Sequence, residues 1–173
     1  MKRPRGQEGK HLMQKVHIRR ATEQDMEALL ALYVELHEFH ARGLPHWLRI
    51  PEVYDHAASR ELLRGLFDKE TAAIFVAEVL GKIAGLLEMY LKEDEEHPLA
   101  VAHRYGYVQS LVVSAAFRKH GLGKALLEQG HLWTQEHGGE EVRLAVWEFP
   151  EGPLHFYEAL GYNTYKRWLV KAL

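Results

Sequence analysis

The residue types best suited to chemistry are concentrated in residues 111–124, which read Leu-Val-Val-Ser-Ala-Ala-Phe-Arg-Lys-His-Gly-Leu-Gly-Lys. An apolar strand leads into a turn containing Gly121 and Gly123, and the turn opens a helix. Glycines let main-chain N–H groups approach an anion closely, and a helix N-terminus adds partial positive charge. Formal positive charge comes from three neighbouring side chains, Arg118, Lys119 and Lys124. The segment therefore predicts a phosphate-binding turn.

Two common nucleotide-binding turns do not match this spacing. A P-loop has four residues between its glycines, whereas a single residue separates Gly121 from Gly123. It also needs a hydroxyl residue after its lysine to bind Mg²⁺, and here Ala125 follows. The dinucleotide fingerprint needs a third glycine, at a position that Leu126 occupies. The phosphate ligand is therefore expected to be of another kind.

The elements around this turn predict an α/β protein, a mixed α+β sandwich built around one sheet. Thr22 and Asp25 have the spacing of a capping box, so a first helix should follow and run to about residue 41. Gly81 separates two strand-like runs and predicts a hairpin. The predicted strands are 16–20, 72–80, 82–91, 104–113, 141–147 and 162–171, and the other helices are 55–67, the one from 122, and 154–160.

Length and composition exclude several classes of protein. The chain has 173 residues, of which 47% are hydrophobic, so it can bury a core and is not a disordered polypeptide. The net charge of −2 gives no pull toward nucleic acid, and no apolar run is long enough for a membrane span. Zero cysteines exclude disulfides and thiolate metal sites and fit the cytoplasm. We expect a basic, disordered leader at residues 1–14 and a single domain at 15–173.

Three segments resemble the GCN5-related N-acetyltransferase (GNAT) superfamily. Arg118-x-x-Gly121-x-Gly123 looks like its motif A. Residues 18–22, Ile-Arg-Arg-Ala-Thr before an acidic, leucine-rich helix, resemble its opening strand and helix, and residues 156–162, Phe-Tyr-Glu-Ala-Leu-Gly-Tyr, resemble the end of its motif B. The three matches lie in the family's order and together span residues 16–173.

This resemblance implies the GNAT-type acyl-CoA N-acyltransferase fold, a mostly antiparallel central sheet with a splayed parallel pair and flanking helices. It also implies transfer of an acetyl group from acetyl-CoA to a primary amine, without a metal. The pyrophosphate would lie on the glycine turn, the pantetheine arm along the strand before it, and the acyl slot between that strand and residues 141–147. The cofactor-binding residues so implied are Leu111, Val112, Val113, Arg118, Lys119, His120, Gly121, Leu122, Gly123 and Lys124.

Two residues are candidates for proton transfer. Tyr157 matches the motif B tyrosine that protonates the departing CoA thiolate; the alternative is an ordinary core tyrosine. Glu88 is the first candidate for the base that deprotonates the amine; the alternatives are an exposed strand carboxylate and proton release to bulk water. Gln109 and Tyr107 lie on the central strand where some relatives carry a glutamate, but neither is a carboxylate.

The acceptor side is expected near the first two helices, as in the family. His37, His40, Trp47 and Tyr54 are the candidate acceptor-binding residues. The two histidines could instead ligate a metal, although solvated or capping roles are favoured because a third ligand is unspecified. Acidic residues 93–96 either attract a cationic amine or form a solvated turn. The acceptor, a small molecule or a peptide amine, stays open, as does the oligomeric state, a homodimer included.

One departure from the family pattern bears on function. Pro150 and Pro153 stand where many relatives have asparagine and alanine, which puts cofactor affinity in doubt, while the helix itself should form because proline suits a first turn. The competing interpretation is therefore a non-catalytic acyl-CoA-binding or sensing module of the same fold. A metal hydrolase comes third.

Overall fold

Five strands in chain order form one sheet at the centre of the protein. The computed structural model describes residues 16–171; the expected leader at 1–14 lies outside them. The strands are β1 (Val16–Arg20), β2 (Ala72–Val79), β3 (Lys82–Glu93), β4 (Arg104–Val113) and β5 (Glu141–Leu144). Neighbours from β1 to β4 are antiparallel, and β5 runs parallel to β4. The predicted mixed sheet with one parallel pair is confirmed.

Four helices cover the two faces of this sheet. They are α1 (Met26–Gly43), α2 (His56–Phe67), α3 (Leu122–Glu136) and α4 (Leu154–Glu158). Leu29 of α1 and Leu63 of α2 pack in one apolar cluster with Leu86 of β3, which defines the α1 face of the sheet. Leu126 of α3 and Tyr157 of α4 pack in a second cluster on the opposite side, the α3 face. Within residues 16–171, every helix is too short or too polar to cross a bilayer.

Entry into α1 is fixed by the predicted capping box. Thr22 N donates to Asp25 Oδ2 at 2.8 Å, and Arg19 of β1 binds the same carboxylate through two nitrogens at 2.7 and 2.8 Å. These bonds hold the pKa of the buried Asp25 carboxyl below its usual range. The helix that begins here therefore starts at a defined point on the sheet.

The predicted hairpin is also confirmed, with two residues in its turn. Leu80 and Gly81 have φ of 53° and 76°, the pair of left-handed conformations that a type I′ turn requires. A β-bulge then interrupts the pairing of β3 with β4 after Glu88, where Gln109 is the extra residue on β4. The bulge turns β4 locally at the position where the candidate site begins.

The expected last strand, 162–171, is wrong. From Asn163 onward the chain is irregular and exposed, with Tyr165, Trp168 and Leu169 at 85–89% exposure. Aromatic and branched residues favour a strand, but a strand needs a ladder partner. The outermost strand on this side, β5, has four residues where seven were expected, and within residues 16–171 it is paired only with β4. The segment instead makes side-chain contacts, such as Arg167 Nε to Glu148 Oε1 at 3.2 Å.

Two helical glycines give a matched test of packing. A β-carbon on Gly130 of α3 would overlap Met89 Sδ and lie 2.8 Å from Leu87 Cδ2, whereas one on Gly65 of α2 would meet nothing within 4 Å. We expect Gly130→Ala to lower the free energy of unfolding by about 1–3 kcal/mol, since it overpacks α3 against the sheet. Gly65→Ala should raise it by about 0.5–1 kcal/mol by restricting the unfolded chain. Urea denaturation measures both, and the same sign in the two variants would contradict this packing.

Candidate functional site

The main feature of the site is the parting of β4 from β5. Their pairing joins Tyr105 to Glu141 and ends where Val108 meets Leu144. Beyond that point β4 continues to Val113 along β3, while β5 has ended. On the side away from β3, residues 109–113 therefore have no strand partner among residues 16–171. The predicted splay is present, and its closed end lies at Val108.

Phe149 holds the chain after β5 away from β4. Its ring lies 5.3 Å from that of Phe39 and 6.2 Å from that of His40, both on α1. It also covers Gly43, where a β-carbon would overlap the ring. Residues 145–152 thus form one wall of the cleft and rest on the end of α1, while β4 forms the other wall.

The glycine turn follows directly from the open end of β4. A short 3-10 turn (Ala115–Phe117) precedes it, and Lys119 and Gly121 have positive φ of 64° and 81°. The chain then enters α3 at Leu122, whose side chain is buried. N–H groups in the first turn of a helix have no acceptor within the helix, so those after Gly121 are available to an anion. The turn also meets α4, since a β-carbon on Gly123 would lie 3.1 Å from Phe156 Cζ.

Arg118 lies between the turn and α1. Its Nε donates to the Val113 carbonyl at 2.9 Å, and its Nη2 donates to Glu35 Oε1 at 3.0 Å. Glu35 also accepts the Ala115 amide at 2.7 Å, so one carboxylate binds both the end of β4 and the arginine of the glycine motif. Glu35 carries no signal of this role in the sequence, because it lies in the regular pattern of α1. The other basic side chains of the turn, Lys119 and Lys124, are exposed.

Tyr157 lies on the α3 face, close to the turn. Its side chain is buried, and its ring lies 5.2 Å from that of Phe156 and 5.7 Å from that of Tyr162. Burial raises the pKa of Tyr157 well above the usual tyrosine value. The hydroxyl therefore stays protonated at neutral pH and can donate a hydrogen bond.

Glu88 lies on the opposite, α1 face of the sheet. It is 5% exposed, which excludes the alternative of an exposed strand carboxylate. Tyr33 of α1 donates to its Oε2 and Tyr90 of β3 to its Oε1, each at 2.7 Å. Burial and the adjacent carboxylate raise the pKa of both tyrosines. Glu88 lies opposite Ser110, next to the bulge.

The four candidate acceptor residues do not form one group. His37 and Tyr54 are together, with ring centroids 5.8 Å apart, and His37 Nε2 lies 2.6 Å from the Arg49 carbonyl. His40 instead contacts Phe149. Burial lowers the pKa of His40, and the nearby His37 lowers it further. Trp47 is 62% exposed.

The structure also bears on a metal site at the histidines and on the charge of the acidic loop. Across residues 16–171, no three histidine or acidic side chains are arranged to hold a metal ion. In the acidic loop, Asp94 forms a two-point ion pair with Arg143 at 2.7 and 2.8 Å, which offsets part of the negative charge there.

Comparison with known proteins agrees with this geometry. Residues 43–162 match the profile of the Acetyltransferase (GNAT) family. The chain is 31% identical over 124 residues to an N-alpha-acetyltransferase of Sulfurisphaera tokodaii, covering 69% of this chain and 71% of that one. It is 25% identical over 165 residues to an uncharacterised N-acetyltransferase of Methanocaldococcus jannaschii, covering 92% and 67%.

The fold itself recurs in solved structures. A crystal structure of a mutant of a Bacillus halodurans protein superposes with a TM-score of 0.81 at 22% identity, covering 91% of this chain and 99% of that one. At that level of identity the likeness concerns the fold.

The contacts of Glu35 generate a prediction. Glu35→Ala removes the acceptor of the Ala115 amide and the partner of Arg118, so it should lower the free energy of unfolding by about 1–2 kcal/mol. Glu38→Ala is the control, because Glu38 lies on the same helix and pairs with Arg42 at 3.1 Å on the surface; its cost should be about 0–0.5 kcal/mol. Urea denaturation distinguishes the two, and equal losses would show that Glu35 is only another surface charge.

Proposed function

The chain belongs to the acetyltransferase (GNAT) family, and on that premise we propose that it transfers an acetyl group from acetyl-CoA to a primary amine. The observation that carries the proposal is the cleft between β4 and β5, which leads directly to a basic glycine turn at a helix N-terminus. A long ligand with an anionic end and a polar, amide-bearing arm fits this arrangement.

The residues on both parts of the cleft suit the two ends of acetyl-CoA. The free edge of β4, residues 109–113, offers main-chain N–H and C=O groups to the pantetheine amides. The first-turn amides of α3, with Lys119 and Lys124 beside them, suit the pyrophosphate. Arg118 contributes through its bonds to Val113 and Glu35, which hold the turn against β4. Acetyl-CoA supplies an acyl group activated by a thiolate leaving group.

The acceptor amine needs to lose a proton. A lysine-like amine has a pKa of about 10.4, so being neutral at pH 7.4 costs it roughly 4 kcal/mol. Glu88 is our candidate for the group that accepts this proton, and Tyr157 our candidate for protonating the thiolate. The two lie on opposite faces of the sheet, Tyr157 in the apolar cluster on the α3 face and Glu88 bonded to Tyr33 of α1. This separation supports an arrangement in which the amine approaches from the α1 face and the thiolate is met on the α3 face.

For the acceptor, we propose an amine that enters near His37 and Tyr54, beside the loop between α1 and α2. Trp47 lies on the exposed surface of that loop and would contact the amine from there. His40 would contact the amine at the end of the cleft that Phe149 covers. The Sulfurisphaera relative is named for acetylation of α-amines. Peptide amino termini are therefore the first acceptors to screen, followed by small primary amines.

Substitution of Gly121 tests the donor site. Gly121→Glu places a side chain and a negative charge where the pyrophosphate would lie, so acetyl-CoA binding measured by titration calorimetry should fall at least about 100-fold. Gly138→Glu is the matched control: it lies at the other end of α3, with φ of 76° against 81° for Gly121, and faces open space. It should bind acetyl-CoA normally.

ATP and NAD serve as ligand controls in the same titration and should not bind. Unchanged affinity in Gly121→Glu would refute the phosphate site. Binding of acetyl-CoA without transfer to any amine would instead favour the sensing module.

Substitution of Tyr157 tests the acid. Tyr157→Phe removes one hydroxyl from a buried site, and we expect kcat to fall about 10²-fold while acetyl-CoA affinity stays within threefold. Initial rates of CoA release, together with calorimetry, measure the two effects separately. Full activity on every accepted amine would remove Tyr157 from the mechanism.

A further inference from the structure

Glu88 differs from the other deeply buried acidic residue in its partners. Asp25, 7% exposed, is neutralised by two bonds from Arg19. Glu88 is 5% exposed, and its partners in the part of the chain that the structure describes are two neutral hydroxyls. A buried carboxylate without a cation is costly, and such groups concentrate at functional sites. Its surroundings therefore call for a functional explanation.

The same burial prevents direct contact with an acceptor. Tyr33 donates to Oε2 and Tyr90 to Oε1, so each carboxylate oxygen already has a hydroxyl in place through which a proton can reach it. A tyrosine hydroxyl can do this because it donates one hydrogen bond and accepts others. Both tyrosines are half-buried, but Tyr33 lies on α1, whereas Tyr90 lies on β3, the strand that pairs with β4.

The position of Tyr90 agrees with this role. It lies on β3 opposite Tyr107 of β4, and Tyr107 in turn lies opposite Arg143 of β5. The next β4–β5 pair, Val108 with Leu144, is the last one before the strands part. Tyr90 is thus on the strand next to the closed end of the cleft, and it lies on the same face of the sheet as Glu88. The acyl group of a donor lying along β4 would end at this closed end of the cleft.

We propose that Tyr90 and Glu88 form a two-step proton path for the acceptor amine, an inference that rests on the proposed acetyl transfer. The acceptor, entering as an ammonium, first passes one N–H proton to Tyr90 Oη, which leaves a neutral amine nitrogen. The hydroxyl proton of Tyr90 passes at the same time to Glu88 Oε1, 2.7 Å away. Tyr33 holds the carboxylate in place through Oε2. The neutral nitrogen then bonds to the acetyl carbon as the C–S bond breaks, and its second N–H proton goes to the departing thiolate, to which Tyr157 donates. The products are the amide, the CoA thiol and a protonated Glu88.

Three variants and their combination test the path, with single-turnover acetyl transfer as the rate. Tyr90→Phe keeps the ring but removes the relay, so the rate should fall about 10²-fold, and Glu88→Gln should do the same. In the double variant that combines Tyr90→Phe with Glu88→Gln, the rate should fall no more than about threefold below that of either single variant, because both residues serve one path. Tyr33→Phe removes a hydrogen bond to Glu88 of the same length, and its loss of rate should be at least tenfold smaller than that of Tyr90→Phe. Tyr165→Phe, at 89% exposure, is the control that leaves the rate unchanged.

Two readouts separate a proton path from a loss of structure. The solvent deuterium isotope effect on the single-turnover rate should decrease in Tyr90→Phe, since one of two protons in flight is lost. Acetyl-CoA affinity by calorimetry should stay close to wild type, and the urea midpoint should fall to a similar extent in Tyr90→Phe and Tyr33→Phe, because each variant removes one bond to the buried Glu88.

Three results would overturn the path: a Tyr90→Phe rate above a third of wild type, multiplicative losses in the double variant, or equal losses in Tyr33→Phe and Tyr90→Phe. If the wild-type protein acetylates no amine, the proposed function fails and the path fails with it. If wild type is active and Tyr90→Phe is equally active, only the path fails.

Discussion

Main-chain hydrogen bonding at one strand edge is the constraint on which the rest of this structure depends. Residues 109–113 of β4 run through the middle of the molecule with a partner on one side only among the described strands. Backbone groups inside a protein need partners, so an open edge is tolerated only where solvent or a ligand reaches it. The bulge at Gln109, Phe149 against α1, and the bonds of Glu35 to Ala115 and Arg118 all preserve that open edge.

The sheet also separates the two halves of the proposed chemistry. Tyr157 belongs to the apolar cluster under α3, and Glu88 to the face under α1. A base and an acid on one face could exchange a proton with each other, but a sheet between them prevents that exchange. The proposed acid, Tyr157, and the proposed base, Glu88, could then both act on a reaction at the edge of β4.

Local signals in the sequence predicted most of the fold. The helix start after Gly121, the capping box at Thr22 and the hairpin at Gly81 each depend on a few neighbouring residues, and the structure contains all three. The last strand was wrong because strand formation depends on a distant partner that propensity does not reveal. Tyr33 and Glu35 were missed because a helical repeat shows which side chains face inward but not which ones bond to another element. The burial of Glu88 likewise follows from its tyrosine partners, 55 and 2 residues away in the chain.

The length of α1 has a consequence for how the cleft opens. Glu35 contacts the end of β4 and Phe39 contacts Phe149, so one rigid helix touches both walls about one turn apart. The width of the cleft is therefore set by side chains on a single helix. A change in how Phe149 packs on α1 would alter that width without any rearrangement of the sheet.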